Sequence, residues 1–446
     1  MNCMNRVFLP VIWLCAATAA AWGQQPGDVL WTADLDPSPN FSEPTVGPDG
    51  TIYVHTGRFY AIAPDGSIRW SQPLSSANVA DVGPDGTVYA ASTHTVHAFS
   101  PDGAPLWTFT ETPTGQGVMA GPSVGPDGNV YVIFDAPGMG AVSLTPQGEL
   151  RWSTAGFINW GGTGLTKVQF GADRFYFAEE VVPGCDPDGL QQGLVAVLLD
   201  DGDVDWCAPL SAAARPMADS VGRAYQKFSF SALRAYEPDG SVAWTFGLPP
   251  GSNTVIGPGV GPDGAAYLNR NSSQMWAINA DGSVRWTMDD PPGGTFRVRA
   301  SVAADNAALV YGTQHAPGSS GIIIARDPGD GSLLWSVPIP GANIGAAAPA
   351  AFSADGSVVY VPVRTSAATH LLAVQVHPDD GPPAMLGDLN DDGLADGLDL
   401  GILLANWSIP AGAPGCGGAA SCTADINQDG LVNGIDLGIL LANWTL

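Results

Sequence analysis

The chain has 446 residues, which is enough for one large β domain and a small second unit. Its 57 Gly and 38 Pro are typical of a turn-dense all-β protein. The formal charge is −27, and only six of the 43 acidic residues are Glu. We attribute the many Asp residues mainly to turns and to metal ligation. A surface this acidic argues against nucleic acid and anionic membrane as partners, because like charges repel.

Residues 1–23 have the pattern of a signal peptide. Arg6 supplies a positive charge, residues 7–21 are apolar, and a small-x-small cleavage site ends at Gly23. The apolar run is too short to favour a membrane-spanning helix. A bulky residue precedes Cys15, which does not suit a lipoprotein anchor. We therefore expect a secreted or extracytoplasmic protein that is cleaved near Gly23 and has no membrane span.

A module of about 40 residues recurs through residues 24–376. The segment from Gly83 to Trp107 contains a Gly-Pro-Asp-Gly turn, an alternating run through Tyr89, a second apolar strand, a Pro-Asp-Gly turn and a strand that ends at Trp107. The corresponding Trp residues are Trp31, Trp70, Trp107, Trp152, Trp206, Trp244, Trp286 and Trp335. The corresponding Tyr residues are Tyr53, Tyr89, Tyr131, Tyr176, Tyr225, Tyr267, Tyr311 and Tyr360. Such a period indicates propeller blades or a solenoid.

This pattern resembles the tryptophan-motif repeat of quinoprotein-like (PQQ-like) propellers over residues 29–376. Counting the Trp and Tyr strands predicts an all-β fold, an eight-bladed β-propeller of four-stranded antiparallel blades. The strand that ends at Trp31 lacks its own blade, and the module that contains Tyr360 lacks a Trp strand. The N-terminal strand is therefore predicted to complete the last blade, which leaves no unpaired sheet edge there. Seven blades is the alternative, if the module around Tyr225 is not a blade.

Few other residues of the repeats indicate chemistry. Cys185 and Cys207 are predicted to form a disulfide, as nearby cysteines of exported proteins usually do. Glu179 and Glu180 are the only adjacent Glu pair; acid–base catalysis and a solvated loop are both open interpretations. The six His show no metal-ligand spacing. Quinoproteins of the resembled family often carry adjacent cysteines, which are missing here, so the sequence does not favour PQQ as a cofactor.

A second repeat fills residues 387–446, after a Pro- and Asp-rich linker at residues 377–386. Its copies are DLNDDGLADGLDLGILLANW from Asp388 and DINQDGLVNGIDLGILLANW from Asp425. Each begins with Asp-x-Asn-x-Asp-Gly, which supplies oxygen ligands at loop positions one, three and five and a turn glycine at six. An amphipathic helix follows each loop. We predict two Ca²⁺ ions, held by Asp388, Asn390, Asp392, Leu394, Asp396 and Asp399 and by Asp425, Asn427, Asp429, Leu431, Asn433 and Asp436.

No amphipathic helix precedes either loop, and position twelve is Asp where EF-hands have Glu. In both respects the segment is similar to the dockerin module, a small α-helical domain of two loop–helix units (a duplicated F-hand). The resemblance implies a cohesin-like protein partner, recognised through loop positions ten and eleven. Those positions are Gly397-Leu398 and Gly434-Ile435 here, where dockerins usually have a small or hydroxyl pair. Asp-rich turns without metal are the alternative. Between the copies, Cys416 and Cys422 are predicted to form a short disulfide.

Two functional hypotheses follow. The favoured one is an exported, non-catalytic binding or scaffold protein. Its propeller would present a surface to a carbohydrate or protein ligand, and its calcium-dependent C-terminal module would attach it to a partner. The alternative is an enzyme, either a polysaccharide-active hydrolase or lyase delivered by its dockerin, or a quinoprotein oxidoreductase. Regular repeats without a catalytic group of carboxylates favour binding.

Overall fold

The computed structural model describes the chain from residue 25 onward, with gaps. The described ranges are 25–38, 42–74, 79–110, 117–136, 139–154, 167–179, 192–210, 216–229, 232–248, 255–270, 274–289, 295–296, 301–303, 307–314, 321–339, 349–365, 368–376, 397–405, 432–434 and 440–441, with the single residues 389, 407, 424 and 437. They contain strands β1–β33, which form eight antiparallel sheets. The predicted signal peptide and linker lie outside these ranges. No helix within them is long and apolar enough to cross a membrane.

The first four blades follow one another in chain order. Blade 1 consists of β2 (Thr45–Val46), β3 (Ile52–Thr56), β4 (Arg58–Ile62) and β5 (Ile68–Gln72). Blade 2 consists of β6 (Asp81–Val82), β7 (Val88–Ala91), β8 (Thr95–Phe99) and β9 (Pro105–Thr110). Blade 3 consists of β10 (Gly117–Val124), β11 (Val130–Ala136), β12 (Met139–Leu144) and β13 (Leu150–Ser153). Blade 4 consists of β14 (Gln169–Phe170), β15 (Arg174–Glu179), β16 (Gln192–Leu198) and β17 (Val204–Leu210).

The remaining blades continue the series, and the last one takes its fourth strand from the N-terminus. Blade 5 consists of β18 (Met217–Ala218), β19 (Ala224–Ser229), β20 (Ala232–Tyr236) and β21 (Val242–Gly247). Blade 6 consists of β22 (Val255–Val260), β23 (Ala266–Arg270), β24 (Gln274–Ile278) and β25 (Val284–Asp289). Blade 7 consists of β26 (Thr295–Phe296), β27 (Ser301–Val302), β28 (Leu309–Gln314), β29 (Gly321–Arg326) and β30 (Leu333–Ile339). Blade 8 consists of β31 (Ala351–Phe352), β32 (Val358–Arg364), β33 (Thr369–Gln375) and β1 (Val29–Leu35).

The predicted closure of the ring is confirmed. Strand β1 pairs antiparallel with β33, and Trp31 lies opposite Ala373. Beyond the strand, the Gly27 amide donates to the Gln375 carbonyl at 2.8 Å. The module around Tyr225 forms blade 5, so the structure has eight blades and the seven-blade alternative is wrong. Blade 7 departs from four strands only because β26 and β27 both pair with β28.

Turn chemistry explains why Asp and Gly recur. In blade 1, the Thr51 amide donates to Asp49 Oδ1 at 3.0 Å, and the Gly50 amide donates to the Gly47 carbonyl at 3.0 Å. Gly50 has φ +76°, a left-handed conformation that residues with a Cβ adopt only under strain. The same Asp-to-amide hydrogen bond is made by Asp85, Asp127, Asp263 and Asp355. Many of the Asp residues therefore stabilise turns.

The repeated Trp residues join each blade to the next. Trp70 Nε1 donates to the Pro101 carbonyl of blade 2 at 2.7 Å, and the indole ring lies against Gly103. A Cβ on Gly103 would lie 2.6 Å from the ring. The equivalent bond is made by each of the eight repeat Trp residues, to the carbonyls of Pro64, Pro101, Pro146, Leu199, Pro238, Ala280, Pro328 and Val376 in chain order. These Trp side chains are therefore packing residues between blades.

Hydrophobic side chains fill the space between blades. Eight clusters of buried residues occur in the blades, one for each pair of neighbouring blades. At the closure, for example, Leu35 of β1 packs with Val54 and Ile62 of blade 1 and with Leu371 of blade 8. Burial of this apolar surface between blades is the main favourable term in holding the ring together.

The C-terminal repeat is described in part. Helix α1 (Gly397–Ala405) follows the first predicted calcium loop, and in the second copy the described residues Gly434, Leu437, Leu440 and Leu441 are helical. The buried side chains of Leu403, Ala424, Val432 and Leu440 form one cluster. The two copies of the repeat therefore contribute to a shared core. The predicted pair of complete helices extends beyond the described residues.

Candidate functional site

The first strands of the blades surround a central channel. First strands of neighbouring blades contact one another, which places them next to the propeller axis. Three polar side chains link these strands in blades 1–4, each binding the backbone of the next blade. Thr45 Oγ1 donates to a carbonyl at 2.7 Å, while Asp81 Oδ2 and Ser123 Oγ each accept from an amide at 2.8 Å. Hydrogen bonds therefore connect this half of the channel wall.

An ion pair strengthens the same half. Lys167 Nζ lies 2.8 Å from Asp81 Oδ1, and the two side chains are 28% and 17% exposed. Because Asp81 belongs to blade 2 and Lys167 directly precedes β14 of blade 4, the pair spans the first strand of blade 3. Partly buried pairs are screened by salt less than surface pairs. The pair thus ties three blades together at the channel.

The other half of the channel contains a cavity of about 490 Å³, lined by blades 5–8 and by the segment before β2. Small residues make room for it: Gly259 and Ala351 lie opposite the repeat Tyr, at the position that Asp81 has in blade 2. Sites for small molecules typically have volumes of roughly 300–1,000 Å³. Side chains with three kinds of chemistry line the cavity, namely the apolar Met217, Val260 and Phe352, the hydroxyls of Ser220 and Ser301, and the carboxylates of Glu43 and Asp219.

Asp219 is held in place by three donors. Its Oδ1 accepts from the amides of Val221 at 3.1 Å and Arg223 at 2.8 Å, and its Oδ2 accepts from Tyr225 Oη at 2.9 Å. Burial, and secondly the charge of Asp219, raise the pKa of Tyr225, so this phenol stays a proton donor. None of the described lining residues is Lys, Arg or His. The charged side chains of the described lining are therefore acidic.

The predicted calcium ligands lie mostly outside the described residues. Asp399 is within α1, and the Asn433 carbonyl accepts from the Leu437 amide at 3.2 Å, which is a helical hydrogen bond. The other ten ligands are not described, namely Asp388, Asn390, Asp392, Leu394, Asp396, Asp425, Asn427, Asp429, Leu431 and Asp436. The two calcium sites stay a prediction.

The remaining predicted site residues are placed only in part. Cys207 of β17 is disulfide-bonded, while Cys185, Cys416 and Cys422 lie outside the described residues, so both pairings stay predictions. Glu179 ends β15 opposite Gly193, and Glu180 is likewise outside.

Among the histidines, His55 is a packing residue. Burial lowers its pKa to about 4, and its Nε2 lies 3.0 Å from the Leu74 carbonyl. A neutral imidazole donates one hydrogen bond through this nitrogen.

The sequence did not predict the ion pair or the cavity of the channel. The ion pair joins residues 86 positions apart, and the cavity is enclosed by residues of five separate repeats. One signal was available: the chain contains only two Lys, and Lys167 is one of them. The charge of Lys167 makes it a candidate for an ion pair, but the sequence does not identify Asp81 as its partner.

Comparison with known proteins shows which family the chain belongs to. The model of the family described as outer membrane protein assembly factor BamB matches residues 16–157 and 193–376. The chain belongs to this family. The unmatched segment between the two matches, residues 158–192, contains the pair Glu179 and Glu180 and Cys185. A comparison with curated proteins gives no match.

Solved structures similar to this BamB-family chain share its fold. BamB from Moraxella catarrhalis has a TM-score of 0.55 at 12% identity, covering 78% of this chain and 99% of its own. A quinohemoprotein alcohol dehydrogenase from Comamonas testosteroni has a TM-score of 0.57 at 13% identity, covering 80% and 78%. The C-terminal WD40 domain of Sif2 has a TM-score of 0.56 at 11% identity, covering 79% and 99%. At such identities the likeness concerns the fold alone.

The described lining of the cavity bears on the prediction that the chain does not use the quinone cofactor of the dehydrogenases, which stays a prediction. Pyrroloquinoline quinone carries carboxylates and would need basic side chains to hold it. The described lining of the cavity in this BamB-family chain instead supplies the carboxylates of Glu43 and Asp219 and no basic group. Like charges within such a cavity repel one another strongly, because the low dielectric screens them poorly.

Proposed function

We propose that this BamB-family chain is an extracytoplasmic, non-catalytic binding or scaffold protein. Its propeller would present a surface to a protein or carbohydrate ligand. The family description, which names outer membrane protein assembly, supports a location outside the cytoplasm and a protein partner.

The observation that carries this proposal is how the blades use their charged side chains. Arg69 Nη1 lies 2.6 Å from Asp49 Oδ2, and Arg285 Nη2 lies 2.7 Å from Asp263 Oδ2. Burial acts to raise the pKa of each Asp, but the hydrogen bonds and the Arg charge outweigh it and leave both pKa values below their usual range. Catalytic acids and bases are instead usually tuned towards neutral pH. These carboxylates serve turn and blade geometry.

We further propose that residues 387–446 form a dockerin-like module with two Ca²⁺ ions, which attaches the propeller to a cohesin-like partner. The shared cluster of Leu403, Val432 and Leu440 supports pairing of the two copies in one unit. Residues 388–446 contain eight Asp and no Lys or Arg, so their carboxylates repel one another unless cations are bound. Such a short unit also buries too little apolar surface to fold strongly alone. Calcium supplies the missing stabilisation.

The alternatives are a polysaccharide hydrolase or lyase and, less consistent with the acidic cavity, a quinoprotein oxidoreductase. One set of experiments on the full chain distinguishes these enzyme functions from a binding function. A glycan array and immobilised cohesins report binding, and a reducing-sugar assay on plant polysaccharides reports turnover. We expect binding without sugar release. Release of sugar that tracks the purified protein would favour the hydrolase or lyase instead.

Calcium dependence has its own test. Scanning calorimetry of the full chain should show a C-terminal transition that moves to lower temperature in EGTA, while the propeller transition changes little. Cohesin binding should disappear under the same conditions. The module assignment fails if chelation changes neither transition.

A further inference from the structure

In blade 3, a backbone amide at the channel binds an oxygen of the preceding blade. The Gly125 amide donates to the Asn129 carbonyl at 2.8 Å, which closes the turn after β10. Val124 lies opposite Val130, and hydrogen-bonded positions alternate along an antiparallel pair. The Val124 amide therefore points away from β11, and it donates to Asp81 Oδ2 at 2.8 Å. An amide at this position of a first strand thus takes an oxygen acceptor from across the channel wall.

The first strands of blades 6–8 present three amides in the same register. The residues equivalent to Val124 are Val260, Val302 and Phe352. The next residue in each strand closes the turn of its blade with an amide hydrogen bond, at 2.9, 2.9 and 2.8 Å in chain order. By the same alternation, the three amides point away from the second strand of their blade. All three residues line the cavity.

Within the described ranges, no side chain binds these three amides. The preceding blades have Met217, Gly259 and Ser301 at the position that Asp81 has in blade 2, two residues before the turn amide. A thioether is a weak acceptor, and glycine has no side chain to accept. The Ser301 hydroxyl makes no hydrogen bond to another described residue. The cavity wall therefore supplies three amide donors and one hydroxyl to a ligand.

The carboxylates of the lining do not require a charged ligand. Asp219 accepts three hydrogen bonds, and Glu43 also interacts with another group of the chain. The side chains of Val260 and Phe352 add apolar surface to the wall. A fitting ligand is therefore neutral, carries several oxygen acceptors and has C–H groups that pack against apolar side chains.

We propose that this cavity binds a neutral sugar. Its oxygens accept from the amides of Val260, Val302 and Phe352, and one of its hydroxyls bonds to Ser301 Oγ. A hydroxyl group both donates and accepts, so a sugar satisfies both kinds of group. The volume of about 490 Å³ suits a mono- or disaccharide. The inference rests on the proposed binding function, for which it names a carbohydrate ligand and its site.

Saturation-transfer NMR on the full chain tests the site with glucose, galactose, mannose, maltose and cellobiose as probes. We expect at least one of these sugars to bind with a Kd of about 1 mM or tighter. Cyclohexanol has a six-membered ring but only one hydroxyl, so it satisfies few of the amides. It should bind at least about tenfold more weakly than that sugar.

Two variants of one residue place the binding in the cavity. Ser301→Ala removes one hydrogen bond and should weaken sugar binding about fivefold. Ser301→Leu fills the cavity and should abolish binding. Ser336 provides the matched control, because it also belongs to blade 7 but is exposed on β30, outside the lining. Ser336→Ala and Ser336→Leu should leave the affinity unchanged. Thermal melting of each variant checks that it is folded.

Three results would overturn the proposal. They are the absence of binding for all of these sugars, equal affinity for cyclohexanol, and full sugar affinity in folded Ser301→Leu protein. Immobilised cohesin, applied to the same protein, distinguishes these results from failure of the proposed function. A chain that binds cohesin but no sugar keeps the scaffold function and lacks this site. Sugar binding that Ser301→Leu retains would place the carbohydrate on another surface of the propeller.

Discussion

Substitution of Gly103 by Ala tests the proposed junction between blades. The residue has φ +82°, and its added Cβ would lie 2.6 Å from the Trp70 ring. Left-handed backbone in a residue with a Cβ costs about 1–2 kcal/mol, and overpacking costs about 1–3 kcal/mol. Loss of the Trp70 hydrogen bond to Pro101 would add about 1 kcal/mol. With all three costs, we expect Gly103→Ala to lower the free energy of unfolding by about 3–6 kcal/mol.

Gly128 offers a control, because it has φ +78° in another Pro-Asp-Gly turn but nothing within 4 Å of an added Cβ. Gly128→Ala should therefore cost only the backbone strain, about 1–2 kcal/mol. In a Trp70→Ala background the clash disappears, so Gly103→Ala should then cost no more than Gly128→Ala does. The difference between backgrounds is the coupling energy of the pair.

Urea unfolding followed by tryptophan fluorescence measures these effects as shifts of the midpoint at unchanged slope. Equal losses for Gly103→Ala and Gly128→Ala would refute the reasoning, because they would show that the indole contact contributes nothing beyond backbone strain. So would a loss for Gly103→Ala that persists in full in the Trp70→Ala background.

Three further outcomes are expected. Deletion of residues 24–35 should cause aggregation or a large fall in melting temperature, since it exposes the edge of β33; unchanged melting would contradict closure. Peptide mapping without reduction should find Cys207 joined to Cys185, and a bridge from Cys207 to the C-terminal repeat would disprove that pairing. Because unfolded His55 takes up a proton near pH 6.5 and folded His55 only near pH 4, stability should fall as the pH drops through that window. His55→Gln should flatten this slope in pH-dependent unfolding, and an unaltered slope would show that His55 does not cause it.

Local features of the repeats were predictable because each depends on neighbours in the sequence. The Asp49 turn forms between residues two positions apart, and alternation marks strands such as β7 without reference to the rest of the chain. Counting the Trp and Tyr strands then predicted eight blades. It also predicted that β1 pairs with β33, because the N-terminal strand has no blade of its own and the last blade lacks a strand. The duplicated Asp-x-Asn-x-Asp-Gly loops are also local features, and the two calcium sites that they indicate stay a prediction.

The tertiary structure decided the contacts between repeats. The sequence identified Trp70 as a repeat position, but only the tertiary structure shows that its indole ring packs against Gly103, on a turn of the following blade. The tertiary structure also shows that Asp81 and Lys167 form an ion pair across blade 3. It further shows that Gly259 and residues from four other repeats line one acidic cavity. Repeats that look alike in sequence thus make unlike walls of the channel. The physical reason is that side chains at the propeller axis meet partners from distant blades, and the arrangement of the whole ring sets those distances.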